Sequence, residues 1–396
     1  MWCHCPNHYG VPRDQLTCPI CLGKSGAVPV LNEEAVRLSV LAATYLQCEI
    51  SPFFQFDRKH YHCVDLPKGY QLTQWFHPCG RHGKLVFESG GKLCQVEINR
   101  VHLEEDAAKL IHSQDDTIVD FNRAGVPLIE IVTEPQLYSS EMVYDYLTAL
   151  KDVLLQGNIS GCNMEQGNIR SDVNISISLP EKGIRGNKVE LKNLNSFSNV
   201  KKAIEFEILR QTDLLKKGLP IHQETRRWDD IKKVTESMRD KETALDYHYT
   251  PDPDIPQYHY TPEWLAEIQS QCQEMPLDCK KRLKSDYNLS EEQARVLSHP
   301  DVDSGRSLLE FFEEAIKQGG SDSLANAGQI ANWCLNALLA RMSAQNISWE
   351  NLKLRPQYVA ELVSLINSGK LHTRLAQNVF AECVTTGKSP SEIIQK

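Results

Sequence analysis

The chain has 396 residues, 41% of them hydrophobic, a formal net charge of −9 and thirteen cysteines, enough length for two or three domains with a substantial core. No apolar run approaches the roughly 18 residues of a membrane span, and no charged segment followed by an apolar stretch marks a secretory leader. The negative charge excludes a polyanion held by the global field, so a nucleic-acid partner would need a local basic patch.

Residues 1–30 are rich in Cys, Pro and Gly and read as irregular. Cys3-His-Cys5 and Cys18-Pro-Ile-Cys21 are two short cysteine pairs separated by twelve residues. Each pair can grip one edge of a tetrahedron, so the spacing predicts a zinc site. Four thiolates close the shell, which makes such a zinc structural; His4 and His8 then stand outside it. The alternative is four unrelated buried thiols. The other nine cysteines have no ligand spacing and read as ordinary thiols. In a chain this long and core-rich, thirteen cysteines do not read as a disulfide framework, and a reducing cytoplasm is expected.

Asn32 is placed to cap a helix running to about Leu46, with Glu33 and Glu34 in its first turn. From 53 to 135 the pattern is short strands with Gly- and Pro-containing turns. Within it, Gly125 and Pro127 predict a turn and Leu128 to Val132 a buried strand carrying Glu130, with Glu134 near its end. An unpaired buried carboxylate is costly, so Glu130 calls for a use. Val101-His-Leu-Glu-Glu-Asp106 reads as a second strand dense in acids. Two such strands side by side would hold a hard divalent cation, as phosphoryl transfer requires.

Residues 139–155 predict an amphipathic helix capped by Ser139 or Ser140. Asp172 to Ser178 alternates as a half-buried strand, with Lys188 to Leu191 as its antiparallel neighbour. Phe197 to about Lys217 predicts a long helix stopped by Gly218. After Pro262 strand signals vanish, and helices are expected near 263–272, 291–298, 305–317, 323–343 and 356–367. The boundary falls between 265 and 275, giving a domain over 1–268 and a helical one over 269–396.

Several polar segments read as either site or turn chemistry. Phe56-Asp-Arg-Lys59, Asp65-Leu-Pro-Lys-Gly-Tyr-Gln71, Asn168 to Asn174 and Leu191 to Phe197 set charged and amide groups beside strand formers. Gln223 to Asp229 and Ser237 to Glu242 offer Arg and Lys for phosphates, or salt-bridged surface. Lys280-Lys-Arg-Leu-Lys284 offers a nucleic-acid contact, although a solvated helix face is the commoner explanation. No Walker-type loop and no Gly-x-Ser-x-Gly elbow is present.

Taken together, Phe56 to Lys59, Asp65 to Gln71, Arg100 to Asp106, Asn122 to Pro135, Lys192 to Phe197 and Gln223 to Arg226 resemble the B subunit of the bacterial and organellar aspartyl/glutamyl-tRNA amidotransferase and its archaeal relative. The resemblance runs from Cys3 to about Lys396. It implies an α+β fold, an antiparallel-sheet cradle similar to glutamine synthetase with the four-cysteine zinc segment, followed by an all-α domain and a tail domain that touches tRNA. The implied reaction is ATP-dependent amidation of Glu-tRNA(Gln), Asp-tRNA(Asn) or both. The side-chain carboxylate is phosphorylated, and ammonia channelled from a glutaminase A subunit displaces the phosphate. A small C subunit clasps A and B. The implied setting is the bacterial cytoplasm, or an organelle in a eukaryote.

Carried over by position, the magnesium ligands of the resemblance fall on Glu105 and Glu130. Glu104 and Glu134 are secondary candidates. Arg100, Arg170 and Lys192 are candidates for phosphate or carboxylate contact by charge and context. Cys3, Cys5, Cys18 and Cys21 match the zinc set, and ATP, Mg2+ and structural Zn2+ are the implied cofactors. The sequence departs from the family pattern in three places. A first strand with a Gly-Leu-Glu-x-His motif does not precede the cysteines, the tail domain is cut short, and Tyr61 to Asp65 replaces a more aromatic stretch. A truncated, non-catalytic subunit that scaffolds A and C is therefore the alternative reading, and a zinc-bearing nucleic-acid-binding module a third.

Overall fold

The computed structural model of the chain describes residues 1–179, 184–238, 247–300 and 307–395. They form two compact units, Met1–Gln273 and Glu274–Lys396. The first is a mixed α/β unit and the second is helical.

The first unit is organised by a four-stranded antiparallel sheet in the order Glu49–Ile50, Gly80–Ser89, Lys92–Glu105, Pro127–Thr133. Gly90 and Gly91 both have positive φ, 55° and 74°, and form the two-residue connection of the central hairpin, a turn that only residues tolerant of that region adopt. Leu85, Phe87, Val96, Ile98, Val101 and Leu103 are buried. The helix Ser140–Gln156 covers Gly80–Ser89, with Tyr146 edge-on to Phe87 at 5.8 Å. The helix Glu33–Tyr45 is capped as its sequence predicts: the Asn32 side chain accepts from the N–H groups of Glu34 and Ala35.

Pro127–Thr133 corrects an expectation. It is the edge strand of its sheet among the described residues, and its residues are half-buried or exposed. Its apolar run packs on one neighbour only, so Glu130 is not a buried charge; its side chain is 48% exposed.

A second sheet joins Val173–Ile175, Val189–Lys192, Glu224–Asp229 and Val234–Ser237. The first pair is antiparallel as expected, whereas Val189–Lys192 and Glu224–Asp229 run parallel across the long connection through the helix Phe197–Lys216. That helix ends in a Schellman motif: Gly218 has φ 68° and donates to Leu215 O, and Leu219 donates to Leu214 O. A third sheet, His248–Pro251, Asp57–His60, Tyr70–Thr73, carries the aromatic and basic side chains described below.

The helix Pro262–Ser270 belongs to the first unit, anchored by the buried Ile268. In the second unit Ser307 and Glu310 form a capping box for Leu308–Gln318; residues 305 and 306, where that helix was expected to begin, lie outside the described residues. The expected helix over 323–343 forms from Ala327 to Gln345 and contains a π-helical stretch, Trp333–Leu338. Pro276–Tyr287, Thr373–Thr386 and Pro390–Ile394 are helices that the periodicity did not announce. The first buries only Cys279 and Leu283, too thin a stripe to read. Among the described residues no helix is long and apolar enough to cross a membrane.

Candidate active site

Strand alternation sorts the acids of Lys92–Glu105 onto two faces. His102 and Glu104 share one, and Glu105 lies on the other. His102 stands directly across from Glu130 in the antiparallel register. Its Nε2 is 3.5 Å from Glu104 Oε2 and 3.6 Å from Glu130 Oε2. These three groups can offer ligand atoms all within 4.8 Å of one another. His102 is 3% exposed, and among the described residues its buried Nδ1 has no hydrogen-bond partner. Two carboxylates and an imidazole converging on one point form a donor set that fits a divalent cation, with the carboxylates favouring a hard one.

Glu105 is 1% exposed and already engaged. Trp2 Nε1 and Lys68 Nζ donate to its Oε2 at 2.7 and 2.8 Å, and the Leu72 N–H donates to its Oε1 at 2.9 Å. Of the two carried-over metal positions, the structure therefore brings Glu130 to the cluster and sets Glu105 behind the sheet. Glu134, at the end of the edge strand, accepts from Asn99 Nδ2 at 2.6 Å and stands outside the three-residue group.

Arg100 lies on the same strand as His102 and Glu104, and two cations of this unit rest against aromatic rings. Arg100, two residues before His102, has its guanidinium over the Trp75 ring at 4.6 Å from the centroid, and among the described residues its buried Nε has no hydrogen-bond partner. Trp75 stacks on Tyr249 at 4.3 Å and 11°. Lys59 Nζ lies 4.4 Å from the Tyr247 ring and 5.5 Å from that of Tyr61. Among the described residues neither cation forms an ion pair with a carboxylate. Burial raises the Tyr249 hydroxyl, with Tyr247, Glu104 and Glu130 adding to the effect and Arg100 opposing it.

The remaining sequence candidates lie elsewhere. Arg170 is held by Asp106, donating through both terminal nitrogens at 2.6 and 3.3 Å. Asp106 is 5% exposed and also takes Arg123 Nε at 2.9 Å. Arg123 in turn reaches Gln166 O and Gly167 O. Lys192 lies 3.2 Å from Asp172 and 3.5 Å from Glu190. Burial alone would lower its ammonium, but those two acids outweigh it and hold the group above its ordinary range. Arg226 is spent internally, pairing with Glu224 and with the buried Glu207. Residues 239–242 of the Ser237 to Glu242 segment lie outside the described residues.

Every basic residue of Lys280 to Lys284 has an acidic partner. Lys280 and Lys284 pair with Glu291, Lys281 with Asp278, and Arg282 with Glu274 and Glu313. The cluster is a neutralised helix face.

The four N-terminal cysteines converge as their spacing predicts. Their sulfurs lie within 4.8 Å of one another and none is in a disulfide. Cys3 Sγ is 3.4 Å from Cys21 Sγ, and Cys18 Sγ is 3.6 Å from it. Zinc–thiolate bonds of about 2.3 Å in a tetrahedron put sulfurs roughly 3.8 Å apart, so the set fits a metal ion. Burial pushes the Cys18 thiol up, but N–H donation from Cys21 and Ile20 and hydrogen bonds with Cys21 and Cys5 bring it down to about 7. Gly23 closes the second knuckle with φ 57°, and a Cβ there would meet the Pro67 carbonyl at 2.8 Å.

This loop docks onto the Asp120–Arg123 segment reciprocally. Phe121 N–H donates to Asp14, Leu16 N–H donates to Asn122, and Asn122 Nδ2 donates to Pro12 O. The sequence missed His102 and Asp106 as site residues. The signal for His102 was present, since it shares the face of Glu104 by the two-residue period. The signal for Asp106 was absent, because both its arginines are distant in sequence.

A family model described as the GatB/GatE catalytic domain matches residues 1–266, and a second, described as GatB domain, matches 310–396. The chain is 40% identical to the B subunit of the aspartyl/glutamyl-tRNA(Asn/Gln) amidotransferase of Brevibacillus brevis, with 100% of this chain and 81% of that protein covered. It is 39% identical to the protein of the same name from Thermotoga petrophila, with the same coverage, and 39% identical to that of Thermoanaerobacter pseudethanolicus, covering 82% of it. The chain belongs to the family of aspartyl/glutamyl-tRNA(Asn/Gln) amidotransferase B subunits.

Proposed function

We propose that this chain is the kinase and amidation subunit of a tRNA-dependent amidotransferase, acting on Glu-tRNA(Gln), Asp-tRNA(Asn) or both. The observation that carries the reading is the convergence of His102, Glu104 and Glu130 on a strand pair that also carries Arg100, a cation that no carboxylate among the described residues neutralises. A nucleotide polyphosphate needs both features, a hard-cation site and uncommitted positive charge. Its partners are a glutaminase A subunit and a C subunit, and its sheets form a cradle similar to glutamine synthetase. The two units, divided just past the helix Pro262–Ser270, are the two domains expected over 1–268 and 269–396.

In the reaction, a side-chain carboxylate oxygen on the aminoacyl-tRNA bonds to the γ-phosphorus of ATP, and ADP leaves. Ammonia then attacks the acyl carbon, phosphate leaves, and the nitrogen loses a proton. Mg2+, when bound, neutralises charge on the transferring phosphoryl group. Glu130, Glu104 and His102 are the residues placed to hold it. Glu105, the other position implied by the resemblance, is engaged by Trp2, Lys68 and Leu72 on the opposite face of the strand. Arg100 and Lys59 orient phosphate oxygens, while Asp106 holds Arg170 toward solvent for a phosphate or carboxylate. Lys192 is the remaining candidate for such contact. Zn2+ on Cys3, Cys5, Cys18 and Cys21 is structural, fixing the loop that braces Asp120–Arg123.

The test is to co-purify this chain with its A and C partners and supply Glu-tRNA(Gln), ATP, Mg2+ and ammonium, which bypasses the glutaminase. Gln-tRNA formed with matching ADP release supports the proposal. An intact complex that forms neither product overturns it.

A further inference from the structure

Trp2 directly precedes the first cysteine of the N-terminal set and is 2% exposed. Its indole N–H donates to Glu105 Oε2 at 2.7 Å, and its ring lies edge-on to the buried Phe56 at 5.1 Å. The same ring bounds the turn before the edge strand. A Cβ added at Gly125 would lie 3.5 Å from Trp2 Cδ1 and 3.7 Å from Glu105 Oε2. One buried side chain therefore touches the end of Lys92–Glu105 and the approach to Pro127–Thr133, the strands that carry His102, Glu104 and Glu130. The cysteine loop reaches the same region twice more. Leu16 N–H donates to Asn122 on the turn, and Gly23 packs against Pro67, beside the Lys68 that shares Glu105 Oε2.

Glu104 and Glu105 are neighbours on opposite faces of one strand, so a twist that releases Glu105 also turns Glu104 away from Glu130. Glu105 is a buried carboxylate, costly to leave short of donors. What fixes its donors therefore fixes the facing of Glu104. We propose that Trp2 is a positioning residue for the divalent-cation site. Its hydrogen bond to Glu105 carries the closure of the four-cysteine centre to His102, Glu104 and Glu130, and the cation binds tightly only while that centre is closed. This rests on the cation site of the function proposed above and adds a coupling between two metal centres. Sequence alone gave no sign of it, because Trp2 and Glu105 are 103 positions apart.

The experiment uses the three-subunit complex, wild type and Trp2→Phe, each with zinc bound and after zinc is removed by a chelator that is then dialysed away. Mn2+ is titrated by electron paramagnetic resonance well below the melting temperature, zinc content is measured in every sample, and Glu130→Gln marks the signal that belongs to the cluster. Trp2→Phe keeps a ring in place and loses the donor. It should weaken Mn2+ binding about fivefold with zinc content unchanged, a readout that a merely structural role would not move. Zinc removal should weaken Mn2+ binding in wild type by at least as much, and in Trp2→Phe by no more than about twofold further, because the two changes act along one route. Equal losses on zinc removal in the two proteins, or an unchanged affinity in Trp2→Phe, overturn the coupling and leave the cation site standing. The wild-type arm also stands by itself: an Mn2+ affinity unmoved by zinc removal overturns the proposal. A wild-type complex with no Mn2+ signal that Glu130→Gln removes overturns the cation site, and the coupling with it.

Discussion

His102 and Glu130 face each other across two antiparallel strands, Nε2 to Oε2 at 3.6 Å, the imidazole buried and the carboxylate half in water. The buried member is fixed by the sheet, and the exposed member can move to meet a ligand. Glu104, 16% exposed at its side chain and 3.4 Å from Thr73 Oγ1, lies between these extremes.

The two adjacent acids Glu104 and Glu105 should therefore separate in stability. Glu105→Gln weakens the ion pair with the largely buried Lys68 ammonium and should cost about 3 kcal/mol, since breaking one partner of a buried pair leaves the other uncompensated. Glu104→Gln loses one long hydrogen bond and should stay within about 1 kcal/mol. Denaturant unfolding of the two variants checks this; equal destabilisation would contradict the face assignment.

Asp57 gives a pH prediction. It is 0% exposed and accepts from the Phe76 N–H, and among the described residues its other oxygen has no hydrogen-bond partner. Burial raises its carboxyl above the ordinary value, against the N–H groups of Phe76 and Trp75 and the His77 charge. A raised folded-state value favours the protonated form. Its contribution is fully present below the unfolded value, about 3.9, and is lost as pH rises through the folded value. Asp57→Asn, which keeps the acceptor, should be more stable than wild type at pH 7, with the gap closing near pH 4. Thermal melts across that window decide it.

The cysteine loop should behave as a metal-dependent brace. Chelation, or Cys18→Ser, should lower the melting temperature and open residues 6–24 to proteolysis, because the loop's docking to Asp120–Arg123 depends on closure. Gly23→Ala adds a Cβ against Pro67 at positive φ and should cost about 1–3 kcal/mol. Metal analysis should return one zinc per chain, falling in both variants.

Glu207 is 0% exposed and takes Arg210, Gln211 and Thr235, with Arg226 3.7 Å away. Glu207→Leu should cost about 3 kcal/mol, because Arg210, Gln211 and Thr235 lose their buried acceptor and Glu224 alone is left to face both guanidinium groups. Denaturant unfolding measures it, and a cost below about 1 kcal/mol would contradict the network.

Much of this was legible in the sequence wherever the cause is local. The Asn32 and Ser139 caps, the Gly218 stop and the convergence of Cys3, Cys5, Cys18 and Cys21 all follow from residues close together in the chain. The acids on neighbouring strands were also readable, since alternation and a turn at Gly125 bring them together. What was not readable depends on long-range pairing. Leu128 to Val132 looks like a buried strand because its residues are apolar, yet sheet order puts it at an edge. Glu105 looks like a ligand until Trp2 and Lys68 fold onto it. Asp106 needs Arg123 and Arg170 from two separate segments, the first a short 3-10 helix. The helix Pro276–Tyr287 hid behind a basic run whose charges are matched by Glu274, Glu291 and Glu313.

The most direct test of the metal site is Mn2+ binding to the purified chain, read by electron paramagnetic resonance, in wild type and Glu130→Gln. A bound Mn2+ in wild type that Mg2+ displaces and Glu130→Gln loses is the predicted result. Equal binding by the two proteins would place the cation away from His102, Glu104 and Glu130, and would contradict the account.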